Sequence, residues 1–306
     1  MKKFSIITVC YNCESEIGDT IESVLNQTCT DYEYLIKDGM SQDNTERIAE
    51  SYIPAFAQKG ISYRVISKKD CGIYDAMNQA VQEAQGEWFL FMNAGDLMAD
   101  NDVLNVVKRS GLLEKADVVY GDAISKWNDW YIYQRPDPLE KIVESKPFCH
   151  QSTFAKGKLH KNNLYSTEYI IQGDYLFYYQ QYMDGKRFAY IPYAISIFDR
   201  SGISEKYPVL RAQELLKIQE ERPDRNEAFI RKQKEILKKS KRSAFIRNCF
   251  SRFVPEKLRA KRRNQIKEKG GWKRKKEFFE ELTRLQQPHQ HTSPIDAASS
   301  SKQNDC

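Results

Sequence analysis

Apolar residues fall in two alternating periods along the first 120 or so positions. Phe4–Val9 (FSIITV) is a continuous apolar and β-branched run, the pattern of a strand covered on both faces. Over Ser15–Leu25 the apolar positions Ile17, Ile21, Val24 and Leu25 recur at helical spacing. The same alternation predicts further strands at Tyr32–Ile36, Ile61–Ile66, Trp88–Met92 and Val118–Tyr120. Between them it predicts helices at Thr45–Phe56, Tyr74–Ala84 and Val103–Leu113. Short strands alternating with such helices imply parallel βαβ units and an α/β fold. After Asp122 the pattern is irregular. Trp127–Tyr133 reads as a hairpin strand, Ile171–Gln181 as a helix, Ala194–Phe198 as a strand and Val209–Glu220 as a helix.

In a parallel sheet, ligands bind beyond the carboxyl ends of the strands. The predicted strands run at those ends into Tyr11-Asn12, Asp38, Asp70 and Asp96, so three carboxylates converge on one rim. No G-x-G-x-x-G follows the first strand, which argues against a dinucleotide oxidoreductase. No G-x-x-x-x-G-K-[ST] occurs, which argues against a P-loop enzyme.

Charge divides the chain. Residues 225–285 hold 22 Lys/Arg against 7 Asp/Glu, a net +15, and residues 1–224 hold 25 against 33, a net −8. An acidic body with a basic segment points to an anionic partner, either nucleic acid or membrane. The seven cysteines are scattered and suggest no disulfide framework, so a reducing cytoplasm is the simplest compartment. Cys10-x-x-Cys13 lacks a second pair or clustered histidines and makes a poor zinc site. The apolar run after Met1-Lys2-Lys3 is short for a signal peptide, and no apolar stretch is long enough to span a membrane.

A carboxylate after an apolar strand, such as Asp96 ending FLFMNAGD, is a hard oxygen ligand for magnesium or manganese. Read alone, a lone Asp after a strand is more often a cap or turn residue for the helix that follows than a metal ligand. The ordered blocks FSIITVCYN, KDGMSQDNT, KKDCGIYDAMNQAVQEAQGEWFLFMNAGD, DVVYGD, HQSTFAK, IQGDYLFYYQ and ISIFDRSGIS change that weight. Together, over residues 4–204, they resemble glycosyltransferase family 2, inverting enzymes of GT-A fold, in the branch of colanic-acid, capsule and O-antigen biosynthesis. The resemblance implies a nucleotide-sugar donor, UDP-linked as first choice, and a divalent cation. It places Thr8, Cys10, Tyr11 and Asn12 near the base and ribose, with Asp38 and Asp70 as nucleoside-binding carboxylates. Gly72 stands where the backbone could approach the ligand, and Asp75 and Asn78, one helical turn apart and facing alike, either line the sugar-phosphate side or cap and brace the helix. Asn93-Ala94-Gly95-Asp96 stands where the family has its D-x-D metal motif, with only the final Asp retained. Asp174 of Gln172-Gly173-Asp174-Tyr175 matches the general base, although many relatives carry an acid where this chain has Gly173. His150 and Gln151 fall at the acceptor pocket, and Arg200 in a loop near the diphosphate.

The implied layout is a GT-A catalytic domain at 1–224, with a nucleotide-sugar half (1–122) and an acceptor half (123–224). A basic amphipathic helical segment (225–285) and a disordered tail (286–306) follow. Within the segment, Phe245, Ile246, Cys249, Phe250 and Phe253 form one helical stripe ringed by Lys241, Arg242, Arg247 and Arg252. That is the composition of an interfacial membrane helix. The expectation is an enzyme on the inner face of the cytoplasmic membrane, acting on a lipid-linked carbohydrate and not on nucleic acid. The alternatives are a nucleic-acid-binding protein using the basic segment and an inactive transferase-fold scaffold.

Overall fold

Every residue of Phe4–Cys10 is buried, as expected of a strand with helices on both sides. The computed structural model describes residues 2–200, 202–250, 264 and 267–286, without the side chains of 203, 240–250 and 283–286. The chain begins with β1 (Phe4–Cys10), α1 (Ile17–Leu25), β2 (Tyr32–Asp38), α2 (Thr45–Ser51), α3 (Ile53–Gln58), β3 (Ser62–Ser67), α4 (Ile73–Glu83) and β4 (Trp88–Phe91). Next come β5 (Leu97–Met98), α5 (Val103–Arg109), β6 (Val118–Trp127), β7 (Trp130–Gln134), β8 (Thr153–Lys156), α6 (Gly157–Asn162), α7 (Gly173–Met183) and β9 (Phe188–Asp199). It continues through α8 (Ile203–Lys206), α9 (Pro208–Glu221), α10 (Glu227–Phe250), β10 (Lys273–Arg274) and α11 (Lys275–Gln286).

Among the described residues the strands form one sheet in the order β10-β7-β6-β8-β4-β1-β2-β3, with β9 paired to β6 and β5 to β9. The first half, β3-β2-β1-β4, is parallel. Alternate residues of β1 feed two cores. Phe4 and Ile6 pack with Ile17, Ile21 and Val24 of α1, while Ile7 and Val9 pack with Tyr74, Met77 and Val81 of α4. Register then aligns the strand ends, because Phe4 faces Tyr32 and Cys10 faces Asp38. The second half is antiparallel at β4–β8, β8–β6 and β6–β7, with β9 running parallel to β6.

Several predicted elements end elsewhere. The helix expected over Thr45–Phe56 is two, with Pro54 in the first turn of α3, where its missing N–H costs nothing. α5 stops at Arg109, just before Gly111, whose φ of 68° a helix cannot use. β6 runs on past Tyr120 to Trp127 through a bulge at Gly121–Ala123. Asp122 reads as a strand end, yet it sits inside β6 because two hydroxyls satisfy its buried carboxylate: Tyr133 at 2.6 Å and Tyr190 at 2.7 Å. β5, β8 and α6 have no counterpart in the periodicity; each is at most six residues long.

The boundary expected at 224 does not separate the basic segment from the sheet. β10 pairs antiparallel with β7, and Phe278 and Leu282 of α11 are buried against Ile124, Tyr131, Ala194 and Ile197. The Phe245–Phe253 stripe and nearly all of the 286–306 tail lie outside the described side chains. Among the described residues no helix is long and apolar enough to cross a membrane.

Removing the anchor should therefore destabilise the whole domain. Phe278→Ala is expected to lower the unfolding free energy by roughly 3 kcal/mol, measured by urea denaturation. A loss near zero would show that α11 is not part of the cooperative unit.

Candidate active site

The ends of β1 and β4 open into a cleft of about 800 Å³ between the two halves of the sheet. On the parallel side it is lined by Asn12, Cys13, Glu16 and the Asn93–Asp96 loop. Facing these are Tyr74, Lys146, Phe148, His150, Gln151 and Asp174, with Asp199 and Lys206 on a third edge.

Asp96 is 5% exposed, and one carboxylate oxygen accepts the Asp199 N–H at 3.0 Å. The Gln151 side chain bonds to it as well. Burial pushes its carboxyl up to about 7, and the nearby Asp199 charge adds to the rise. Asp96 caps no helix, since α5 begins at Val103 after Asp102. Gly95 holds φ 96° and donates its N–H to Thr20 Oγ1 at 2.9 Å, which shapes the turn that presents Asp96. Beside it, Asn93 Oδ1 is buried with no hydrogen-bond partner. A hard carbonyl oxygen without a donor and a carboxylate that resists ionisation fit a small divalent cation. Among the described residues no three His, Cys, Asp or Glu side chains cluster as a complete metal cage. Magnesium, which keeps several waters and uses one or two carboxylates with substrate phosphates, needs no such cage.

Asp174 lies at the start of α7, 6% exposed. Burial would raise its carboxyl, but the Lys146 and His150 contacts outweigh it and hold the group below the usual carboxylate range. One oxygen pairs with Lys146 Nζ and lies 3.5 Å from His150 Nδ1. The other accepts the Tyr175 N–H at 2.7 Å and lies 3.4 Å from Tyr74 Oη. The structure also accounts for Gly173. A Cβ there would stand 2.8 Å from the Tyr74 ring, so with Tyr74 in place no larger residue fits.

Of the other predicted residues, Asn12 lines this cleft, and the rest lie outside its walls, Asp38, Asp70, Cys10 and Tyr11 together at a neighbouring rim. Asp38 is fully buried and accepts the Ser41 N–H (2.9 Å), Ser41 Oγ (2.5 Å) and Ser67 Oγ (3.0 Å). Asp70 pairs with the buried Lys37 ammonium at 2.8 Å and accepts the Gly72 N–H at 3.1 Å. Cys10 is buried beside Asp38, and the Tyr11 ring is exposed next to Gly39. Thr8 bonds to Tyr34 Oη at 2.9 Å inside the core. Asn12, at φ 50°, accepts the Gln42 N–H at 2.8 Å and so clasps the second loop to the first. Gly72 caps α4 at φ 128°, a conformation that favours glycine. Asp75 accepts the Cys71 N–H at 2.9 Å, while Asn78 bonds both ways to the Tyr165 backbone, at 2.8 and 2.9 Å. These two brace their surroundings.

Arg200 is not on the cleft wall. Its guanidinium pairs with Glu205 and lies 5.7 Å from the Trp272 ring centroid. The lysine of that loop on the wall is Lys206. Lys146 carries no signal in the sequence; it precedes Pro147 and lies four residues before the His150-Gln151 pair. Asp199 and Tyr74 carry no signal beyond lying inside the matched blocks.

The family model described as Glycosyl transferase family 2 matches residues 5–183. A PGL/p-HBAD biosynthesis glycosyltransferase of Mycobacterium tuberculosis (strain ATCC 25177 / H37Ra) is 32% identical over 176 residues, 57% of this chain and 67% of that protein. Chondroitin synthase of Escherichia coli is 32% identical over 155 residues, 48% of this chain and 21% of that one. Among solved structures, S. aureus TarS 1–349 in complex with UDP-GlcNAc gives a TM-score of 0.55 at 21% identity, covering 84% of this chain and 77% of that one. The Pyrobaculum calidifontis mannosyltransferase PcManGT, in complex with GDP-Man and Mn2+, gives 0.56 at 18% identity, over 71% of this chain and 63% of that one. The fold is GT-A.

The raised Asp96 carboxyl has a stability consequence. From about pH 4 to 7 the folded state keeps a proton that the unfolded chain releases, so stability falls as pH rises through that window. Asp96→Asn should therefore be more stable than wild type at pH 8, by on the order of 2–4 kcal/mol, and nearly equal to it at pH 4. Thermal or urea denaturation at the two pH values checks this. An equal difference at both would mean that the carboxylate carries no burial penalty.

Proposed function

The chain belongs to glycosyl transferase family 2, and from that premise we propose a single-displacement sugar transfer that inverts the anomeric carbon, with Asp174 as general base. The observation that carries this reading is the pair of buried carboxylates on one cleft with opposite ionisation, Asp174 held ionised and Asp96 resisting it. An ionised carboxylate accepts the proton of an acceptor hydroxyl as its oxygen bonds to the anomeric carbon. The bond from that carbon to the diphosphate oxygen breaks, and the nucleoside diphosphate leaves with the electron pair. A divalent cation at Asp96 and Asn93 would offset the charge gathering on that leaving group. Lys206 stands on the same wall to add to it. The rim of Asp38, Asp70 and Tyr11 is where the base and ribose would lie, on the resemblance of its blocks.

We take UDP as the first donor nucleotide. TarS with UDP-GlcNAc supports it, and PcManGT with GDP-Man and Mn2+ keeps GDP as the comparison. For the acceptor we propose a lipid-linked carbohydrate, reached by docking the basic segment on an anionic membrane. Apolar insertion and charge attraction would act together there, since each alone binds weakly.

Asp174→Asn should lower nucleoside diphosphate release in the presence of acceptor by roughly 10²- to 10⁴-fold. Nucleotide affinity by calorimetry should stay within about twofold, because a base touches the acceptor and not the nucleotide. Release near the wild-type rate would remove Asp174 from the role. For the membrane, charge reversal at Arg259, Lys261, Arg262 and Arg263 should weaken co-sedimentation with anionic liposomes, most strongly at low salt. A wild-type protein that stays in the supernatant, or that prefers duplex DNA at physiological salt, would refute membrane docking.

A further inference from the structure

Behind Asp174 lies a buried polar chain that ligand binding alone leaves unexplained. His150 is 3% exposed, with Nδ1 3.5 Å from Asp174 and Nε2 3.2 Å from Tyr165 Oη. Tyr165 is fixed in turn by Asn78, which accepts its N–H at 2.8 Å and donates to its carbonyl at 2.9 Å. The four groups therefore run from α4 through the 163–172 loop and the short 3-10 turn at His150–Ser152 to the first turn of α7. We propose that His150 and Tyr165 are positioning residues that hold the Asp174 carboxylate in one orientation toward the cleft. This rests on the reading of Asp174 as the base.

Donor and acceptor bookkeeping allows one direction. Burial holds the imidazole neutral, at about 4, so only one ring nitrogen carries a proton. If Nε2 carried it, the Nδ1 lone pair would face an ionised carboxylate across 3.5 Å. With the proton on Nδ1, His150 donates to Asp174 and its Nε2 accepts from the Tyr165 hydroxyl. Every junction then has one donor and one acceptor. The other groups facing Asp174 are the Lys146 ammonium and the Tyr74 hydroxyl, and Tyr74 already donates to the Ile171 carbonyl at 2.7 Å. His160, stacked on Phe177 at 4.4 Å with neither ring nitrogen partnered, takes no part. The chain is thus specific to one of the two buried histidines.

The tautomer is measurable without any donor. The chain has four histidines, so the His150 ring nitrogens can be assigned by nuclear magnetic resonance through the loss of one set of signals in His150→Phe. The expected spectrum shows His150 protonated on Nδ1, and Asp174→Ala should shift its population toward the Nε2 form. An Nε2-protonated ring in wild type, or a tautomer indifferent to Asp174→Ala, overturns the proposal. In turnover, read as UDP release from UDP-GlcNAc, His150→Phe should lower kcat roughly 10- to 100-fold with the donor KM unchanged. His150→Asn, whose amide N–H reaches where Nδ1–H stood, should restore most of it, and Tyr165→Phe should lower kcat less than His150→Phe does. Equal losses in the Asn and Phe variants, or a rise in donor KM with kcat intact, overturn it too. A wild type that does not turn over UDP-GlcNAc refutes that donor, while the tautomer still decides the positioning chain.

Discussion

Because β1 is covered on both faces and β2 and β4 beside it are buried as completely, the middle of the parallel sheet has room only for groups with a partner inside. Ser5 and Glu33 show what an exception requires, a 2.6 Å bond to each other that also engages the Gly86 N–H. Unpaired chemistry is driven to the strand ends. The in-register pairing of β1 with β2 brings those ends level, so loops distant in sequence share one rim. The rim of Asp38 and Asp70, the Asn93–Asp96 loop and the cleft all follow from that geometry.

In the cleft, burial is used in two opposite ways. Asp174 pairs with Lys146 and accepts the Tyr175 N–H and stays charged, whereas burial and the neighbouring Asp199 charge hold the Asp96 carboxyl up. The same residue type is thus an ionised carboxylate in one place and a poorly solvated carboxyl in the other. Asp38 and Asp70 show a third state, buried or half-buried carboxylates already satisfied by Ser41, Ser67 and Lys37. For a nucleobase to bond with Asp38, it would have to compete with hydroxyls that the protein already supplies.

What periodicity made legible was the parallel half and its strand ends, because continuous apolar runs and helical stripes are strong signals. It was weakest where tertiary partners override local pattern. Asp122 reads as a terminus until two tyrosine hydroxyls, one from β7 and one from β9, enclose it. Lys146 gives no local hint of pairing with Asp174, because the ion pair forms between a loop and a helix that meet only in the fold. Arg200 was read onto the cleft by its matched block, but Glu205 and Trp272 hold its guanidinium elsewhere. The sheet's tenth strand was hidden for a different reason. Its charged sequence resembles a solvated face, and the side that packs shows in α11 after it, where Phe278, Phe279 and Leu282 meet the sheet.

The contact between Gly173 and Tyr74 constrains how this chain could change over time. An acidic residue at 173 would place its Cβ against the aromatic ring at 2.8 Å, so that substitution is blocked while Tyr74 remains. Admitting a side chain at 173 by replacing Tyr74 with something smaller would empty an enclosed space beside Asp174. Two positions far apart in the chain are thereby coupled through one ring contact, so a side chain at 173 and a tyrosine at 74 compete for the same space.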